Sequence, residues 1–142
     1  MTRRALLDVN VLVALSSPQH VHHDIAHEHF AQLSSWCTTP ITETGLVRLL
    51  MTEAVVGARI DGTDAVAQVR AFRAAPGWSW LADDVSPTQW RIGVDVLRGR
   101  QHVTDLQLVN VAAANDCVLA TFDARIRRAL RPSERRWVNV WA

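Results

Sequence analysis

The chain has 142 residues, 49% of them hydrophobic and 20% charged, a globular composition that excludes a disordered chain. The length predicts one domain over residues 1–142, long enough to bury roughly two-thirds of its unfolded surface without disulfides. Fifteen basic residues against 14 acidic ones give a formal charge of +1, so no basic footprint announces a nucleic-acid partner and no acidic excess announces a solvating tail.

Ala5-Leu6-Leu7 is a short apolar run ending at Asp8, and Val9 to Leu15 continues apolar around Asn10, as a strand passing into a helix that Pro18 breaks. His22 to Leu33 spaces Ile25, His29/Phe30 and Leu33 along one helix face. Trp36 to Thr39 is β-prone and stops at Pro40. Thr42 to Met51 carries a helical stripe of Leu46, Val47, Leu49 and Leu50, and Thr63 to Ala74 carries another before Pro76-Gly77. Trp78 to Leu81 alternates as a strand. Ser86-Pro87-Thr88-Gln89 has the capping-box pattern with Pro at the first helical position, and predicts a helix through Val94 to about Arg98. Thr104-Asp105-Leu106-Gln107 repeats it, with Thr104 as N-cap, Asp105 at N1 and Gln107 at N3 of a helix reaching Asn115. Val118 to Thr121 is a buried strand ending near Asp123, an Arg-rich helix follows around Ile126 and Leu130, and Trp137 to Trp141 alternates as the last strand. Strands alternating with helices predict an α/β domain, a parallel sheet with helices on both faces.

No apolar stretch is long enough to span a bilayer. The N-terminus, Met1-Thr2-Arg3-Arg4 and then Ala5-Leu6-Leu7, meets Asp8 too soon for a signal-peptide core. The expectation is a cytoplasmic protein with no membrane partner. Cys37 and Cys117 lack CxxC spacing and read as small buried residues of a reduced, intracellular chain. The six glycines form no phosphate-binding loop. All 15 basic residues are arginine, a bias we read as genomic GC content ahead of chemistry.

The acidic positions carry the chemistry. Asp8 and Asp123 each follow an apolar strand, and residues just past the carboxyl ends of parallel strands line the ligand crevice of an open α/β sheet. Asp105 sits at a helix start, where the dipole favours a carboxylate. Glu43 lies in the first turn of its helix, just after a strand and Pro40. Each acid alone reads as a turn or cap residue. Four from four segments at one end of a sheet would repel unless a cation neutralised them, and carboxylate oxygens suit Mg²⁺ or Mn²⁺ over zinc. The residues alone thus point to an α/β domain with a hard-cation site and phosphate chemistry.

Four motifs go further. Leu6-Leu7-Asp8-Val9-Asn10-Val11-Leu12, Thr42-Glu43-Thr44-Gly45-Leu46, His102-Val103-Thr104-Asp105-Leu106 and Ala120-Thr121-Phe122-Asp123 resemble, in order and spacing, the four acidic motifs of PIN-domain nucleases. The compact size resembles the VapC-type ribonuclease toxins of type II toxin–antitoxin pairs. The resemblance implies a PIN-like three-layer α/β/α sandwich and Mg²⁺- or Mn²⁺-dependent endonucleolytic cleavage of RNA. It implies that Asp8 and Asp105 are metal ligands, with Glu43 and Asp123 completing the shell directly or through water. Asn10 and Thr121 are implied to support that shell. A cognate antitoxin and a homodimer are implied partners. One departure is Asp116-Cys117, where such toxins often carry a small or Gly-containing turn.

Other residues divide between chemistry and structure. His20, His22, His23, His27 and His29 include an i, i+4 pair of the kind zinc helices use, but with no HExxH and no nearby Cys we read them as surface or rim residues. Arg48, one turn past Glu43, is positioned either to hold a phosphate or to form a salt bridge. The Arg125–Arg136 run suits either an RNA backbone or a solvated face. Trp78, Trp80, Trp90, Trp137 and Trp141 read as core or interface residues ahead of base-stacking platforms. Two rival functions remain: a PIN-like module that binds RNA or protein without cutting, and a phosphatase using Asp8. The intact quartet argues against the first. Against the second, Asp8-Val9-Asn10 lacks the second Asp of a DxD motif. Setting four acids aside for a site filled by two divalent ions leaves ten acids against 15 arginines, about +5 toward solvent, so the near-zero net charge does not argue against RNA.

Overall fold

An unbroken apolar triplet suits a strand covered on both faces, and β1 (Ala5–Leu7) is the fully buried central strand of a parallel sheet. It pairs with β2 (Trp36–Thr38) on one side, while β3 (Trp78–Trp80) extends the sheet beyond β2. On the other side come β4 (Val118–Thr121) and then β5 (Val138–Val140). The order β3-β2-β1-β4-β5 describes a computed structural model of residues 3–142; Met1 and Thr2, where the predicted domain and its N-terminus begin, lie outside the described residues.

The pleat sends alternate side chains to opposite faces. Ala5, Leu7, Trp36 and Ala120 pack against α1 (Val9–Ser16), α2 (His23–Ala31), α3 (Pro40–Leu50) and α5 (Gly62–Ala74), with the short α4 (Glu53–Val56) linking α3 to α5. Leu6, Cys37 and Leu119 pack on the other face against α6 (Val103–Ala114) and α7 (Ala124–Ala129). The result is the expected α/β/α sandwich. Burying a side chain the size of Leu6 or Leu7 stabilises it by roughly 1.5–3 kcal/mol. Both cysteines are buried free thiols, as expected. Among the described residues, no helix is long and apolar enough to cross a membrane.

The largest departure from expectation lies between Ser86 and Arg98. The predicted α-helix is absent, replaced by two 3₁₀ turns, Pro87–Gln89 and Val94–Val96. Ser86 does cap, accepting from the Thr88 N–H at 3.2 Å, but the chain turns extended at Trp90. Partners outside the segment then take its polar groups. The Arg91 N–H donates to Asn110, the Gly93 N–H to Glu134 at 2.6 Å, and the Trp90 indole to Gln107 Oε1 at 2.7 Å. Gln107 is itself recruited away from the predicted capping box, its amide donating to Asp83 and the Val85 carbonyl. Helix α6 accordingly starts two residues early, at Val103, and Asp105 occupies its third position rather than N1. Helix α3 also starts early, at Pro40, where the Thr42 hydroxyl accepts from the Thr39 N–H at 3.1 Å.

The paired histidines have a structural task. His23 Nδ1 lies 2.7 Å from the Ala14 carbonyl and His27 Nε2 3.0 Å from that of Leu15, so two rings of α2 satisfy orphan carbonyls at the end of α1. Asp116 has φ +53°, the left-handed conformation that accounts for the small or Gly-containing turn expected before β4.

Candidate active site

The sheet delivers Asp8 and Asp123, and helix α6 delivers Asp105, to one cleft at the carboxyl ends of β1 and β4. Asp8 follows β1 directly and caps α1, its Oδ1 accepting from the Val9 N–H at 2.7 Å. The neighbouring strand locks the other oxygen, because the Thr121 hydroxyl donates to Asp8 Oδ2 at 2.8 Å. That hydroxyl accepts in turn from the Asn10 amide at 3.1 Å and from the Asp123 N–H at 3.0 Å. Asn10 Oδ1 takes the Phe122 N–H at 3.1 Å. Asn10 and Thr121 therefore clamp the start of α1 to the end of β4 and fix where Asp8 and Asp123 sit.

Asp8, Asp105 and Asp123 line a cleft of about 620 Å³, together with Val9, Asn10, Thr44, Gly45, Arg48, Thr104 and neighbouring apolar side chains. Burial pushes the Asp8 carboxyl up to about 6, against hydrogen bonds from Thr121 and Val9 that pull it down; the charges of Asp105 and Asp123 add to the rise. Asp105 is raised too, by burial first and then by Asp123. Asp123 is lowered, because Arg125 binds both of its oxygens, at 3.0 and 2.9 Å. Two acids that resist ionisation and a third that does not form an all-oxygen donor set, which suits a hard divalent cation.

Glu43 is held elsewhere. It does not line the cleft. Arg73, from the last turn of α5, grips both of its oxygens, at 3.0 and 3.1 Å, and the Thr38 hydroxyl donates to Oε2 at 2.6 Å. Among the described residues, no three His, Cys, Asp or Glu side chains converge closely enough to clasp an ion. The structure thus brings together three of the four predicted acids. Sequence reasoning missed Arg73 and Thr38: one lies 30 residues from Glu43 with no local signal, the other ends a strand like any threonine. Gly45 and Thr104 on the cleft wall were also missed, although both fall inside the motifs quoted above.

The remaining candidates separate. Arg48 is on the cleft wall. The Arg125–Arg136 run does not form one face: Arg131 pairs with Asp95, Arg136 lies over Trp137, and Arg127 and Arg128 line a separate hollow beside β5. His22 stacks on Phe122 and His29 on Trp141, at 4.5 and 4.9 Å between ring centres.

A parallel five-stranded sheet with an acidic cleft at the carboxyl ends of its central strands defines the class. The chain belongs to the PIN-domain family, whose model matches residues 5–131. Among its relatives, Ribonuclease VapC39 of Mycobacterium tuberculosis is 42% identical over 125 residues, covering 86% of this chain and 90% of that protein. Ribonuclease VapC38 of the same species is 40% identical over 124 residues, covering 86% of each. Solved structures share the fold at lower identity. Mycobacterium tuberculosis VapC20, described as a sarcin-ricin loop cleaving toxin, superposes with a TM-score of 0.60 at 14% identity, covering 88% of this chain and 94% of that one. VapBC2 from Rickettsia felis, solved with a DNA fragment of its promoter, gives 0.59 at 14% identity, covering 97% and 98%.

Proposed function

We propose that this chain is a Mg²⁺- or Mn²⁺-dependent endoribonuclease, the toxin of a toxin–antitoxin pair. The observation that carries the reading is that Asp8, Asp105 and Asp123 line one cleft, two of them with raised pKa values. Similarity at 42% and 40% identity to proteins named Ribonuclease VapC supports the RNA substrate. Asp8 and Asp105 are the ligands we assign first, with Asp123 and Glu43 completing the set. A divalent ion there would offset the negative charge of a scissile phosphodiester and lower the pKa of an attacking water. The chain's own groups do the rest. Thr121 and Asn10 hold the Asp8 carboxylate in a single orientation, and Arg48 reaches a phosphate oxygen from the cleft wall. Leu49 and Leu108 give the cleft an apolar wall. A cognate antitoxin protein, a homodimer and a cytoplasmic location complete the proposal; the antitoxin follows the pairing named in the Rickettsia felis neighbour's description.

One observation favours a rival, a PIN scaffold that binds RNA or protein without cutting: Glu43 is occupied by Arg73. Incubating the purified protein with structured RNA, with Mg²⁺ or with EDTA, separates the two. Cleavage that needs the cation and falls by at least about 100-fold in Asp8→Asn and Asp105→Asn supports the nuclease, that factor being usual for losing one key electrostatic group. Cation-independent binding without cleavage supports the scaffold. Full activity in Asp8→Asn sinks the assignment.

A further inference from the structure

The Arg73 side chain has an unusual setting. Its guanidinium lies 4.7 Å from the ring centre of Trp78 and 4.5 Å from that of Trp80, while it binds both oxygens of Glu43. The same network fixes Glu43 from its other side: the Trp78 indole N–H donates to Thr38 Oγ1 at 2.8 Å, and Thr38 donates its own proton to Glu43. The Glu43 side chain is only 14% exposed within this grip. Yet the residues that follow it on α3, Thr44, Gly45 and Arg48, line the carboxylate cleft.

We infer that Arg73 is a positioning residue that holds Glu43 aside and thereby sets the affinity of the cleft for a divalent cation. The inference rests on the reading of Glu43 as the fourth carboxylate of the site. A carboxylate that accepts from a guanidinium fork and a hydroxyl has its charge offset and its lone pairs engaged, so a cation must displace Arg73 to gain it. The two indoles make that exchange feasible. They hold the guanidinium through its faces, a contact that does not depend on Glu43, so Arg73 keeps a seat when the carboxylate leaves. Neighbours of Glu43 on the same helix, Thr44, Gly45 and Arg48, already form the cleft wall.

The test measures Mn²⁺ binding to the full chain without RNA, counting free Mn²⁺ by electron paramagnetic resonance. Arg73→Met removes the charge and keeps the chain length, and should tighten Mn²⁺ by about tenfold, the factor expected for one hydrogen bond to a charged group. Arg73→Lys, which loses the fork but keeps the charge, should fall between Arg73→Met and wild type; it also decides the matter if circular dichroism shows that Arg73→Met does not fold. In the Glu43→Gln background, Arg73→Met should bring no gain. A residue that merely braced the fold would weaken Mn²⁺ binding when removed, so the sign of the change separates the two roles. Unchanged or weaker binding in both Arg73 variants, with Asp8→Asn still losing Mn²⁺, overturns the role of Arg73 and leaves the cleft reading intact. If Asp8→Asn binds Mn²⁺ as wild type does, the cation reading fails, and the inference about Arg73 with it.

Discussion

Thr121 has one hydroxyl proton, and it donates that proton to Asp8, a buried carboxyl whose burial decides much of the site's behaviour. Asp8 titrates near 6 in the folded chain against 3.8 for the free side chain, so folding takes up a proton between those values. Its contribution to stability is therefore fully present below about pH 4 and is lost as pH rises through 6, a change of up to about 3 kcal/mol at 1.36 kcal/mol per pH unit. In thermal melts without divalent ions, Asp8→Asn should exceed wild type in Tm at pH 8, and the gap should close toward pH 4; parallel curves would refute the burial argument. Asp116 offers a simpler test. Its backbone is left-handed and its exposed side chain pairs with the exposed Arg3 at 3.4 Å, so Asp116→Gly should stabilise by about 0.5–1 kcal/mol in urea titration. At this scale the sequence was legible wherever a candidate site residue sits beside a strand end. Asp8, Asn10, Thr121 and Asp123 all announce themselves that way. Arg73 does not, because nothing near it in the chain says that Glu43 is its partner.

Among the elements, α1 and α3 come close together at Gly45. A Cβ on Gly45 would stand 2.7 Å from Val9 Cγ2, nearer than side chains pack, and a β-branched valine has little freedom to turn away. Gly45→Ala should cost about 1–2 kcal/mol despite the better helix propensity of alanine, and Val9→Ala in the same chain should recover most of it. Chemical denaturation of the two single variants and the double variant measures that coupling. Element types were readable because strands buried on both faces are short unbroken apolar runs and because Pro and Gly mark their ends. Ser86 to Arg98 was not readable for a specific reason. A capping signal is the same for one 3₁₀ turn as for a full helix, and what stopped propagation was Asn110, Gln107 and Glu134 drawing the segment's donors outward. None of those partners is visible from inside the segment.

For the molecule as a whole, alternation of strand and helix foretold a parallel sheet with two helical layers but not its order. That β1 is central, with β2 and β4 beside it, follows from pairings between distant stretches of chain. It is this order that sets Asp8 beside Asp123, while Asp105 arrives from the layer behind. The cleft so formed concentrates negative charge, so a cation that binds it should stabilise the whole fold by mass action. Saturating Mg²⁺ at pH 7.5 should raise the Tm of wild type by a few degrees and leave Asp105→Asn unmoved, as followed by differential scanning calorimetry. Equal shifts in both proteins would place the ion elsewhere.

The hydrogen bond from Thr121 to Asp8 joins residues 113 positions apart. During synthesis Asp8 is made well before Thr121, so it waits for β4 before it has a hydroxyl to orient it or Asp123 beside it. The cleft therefore comes into being only after β4 has been made. If the chain cuts RNA as proposed, this order of events is protective: a growing chain carries no working cleft while it is still tethered to the RNA-rich machinery that is making it.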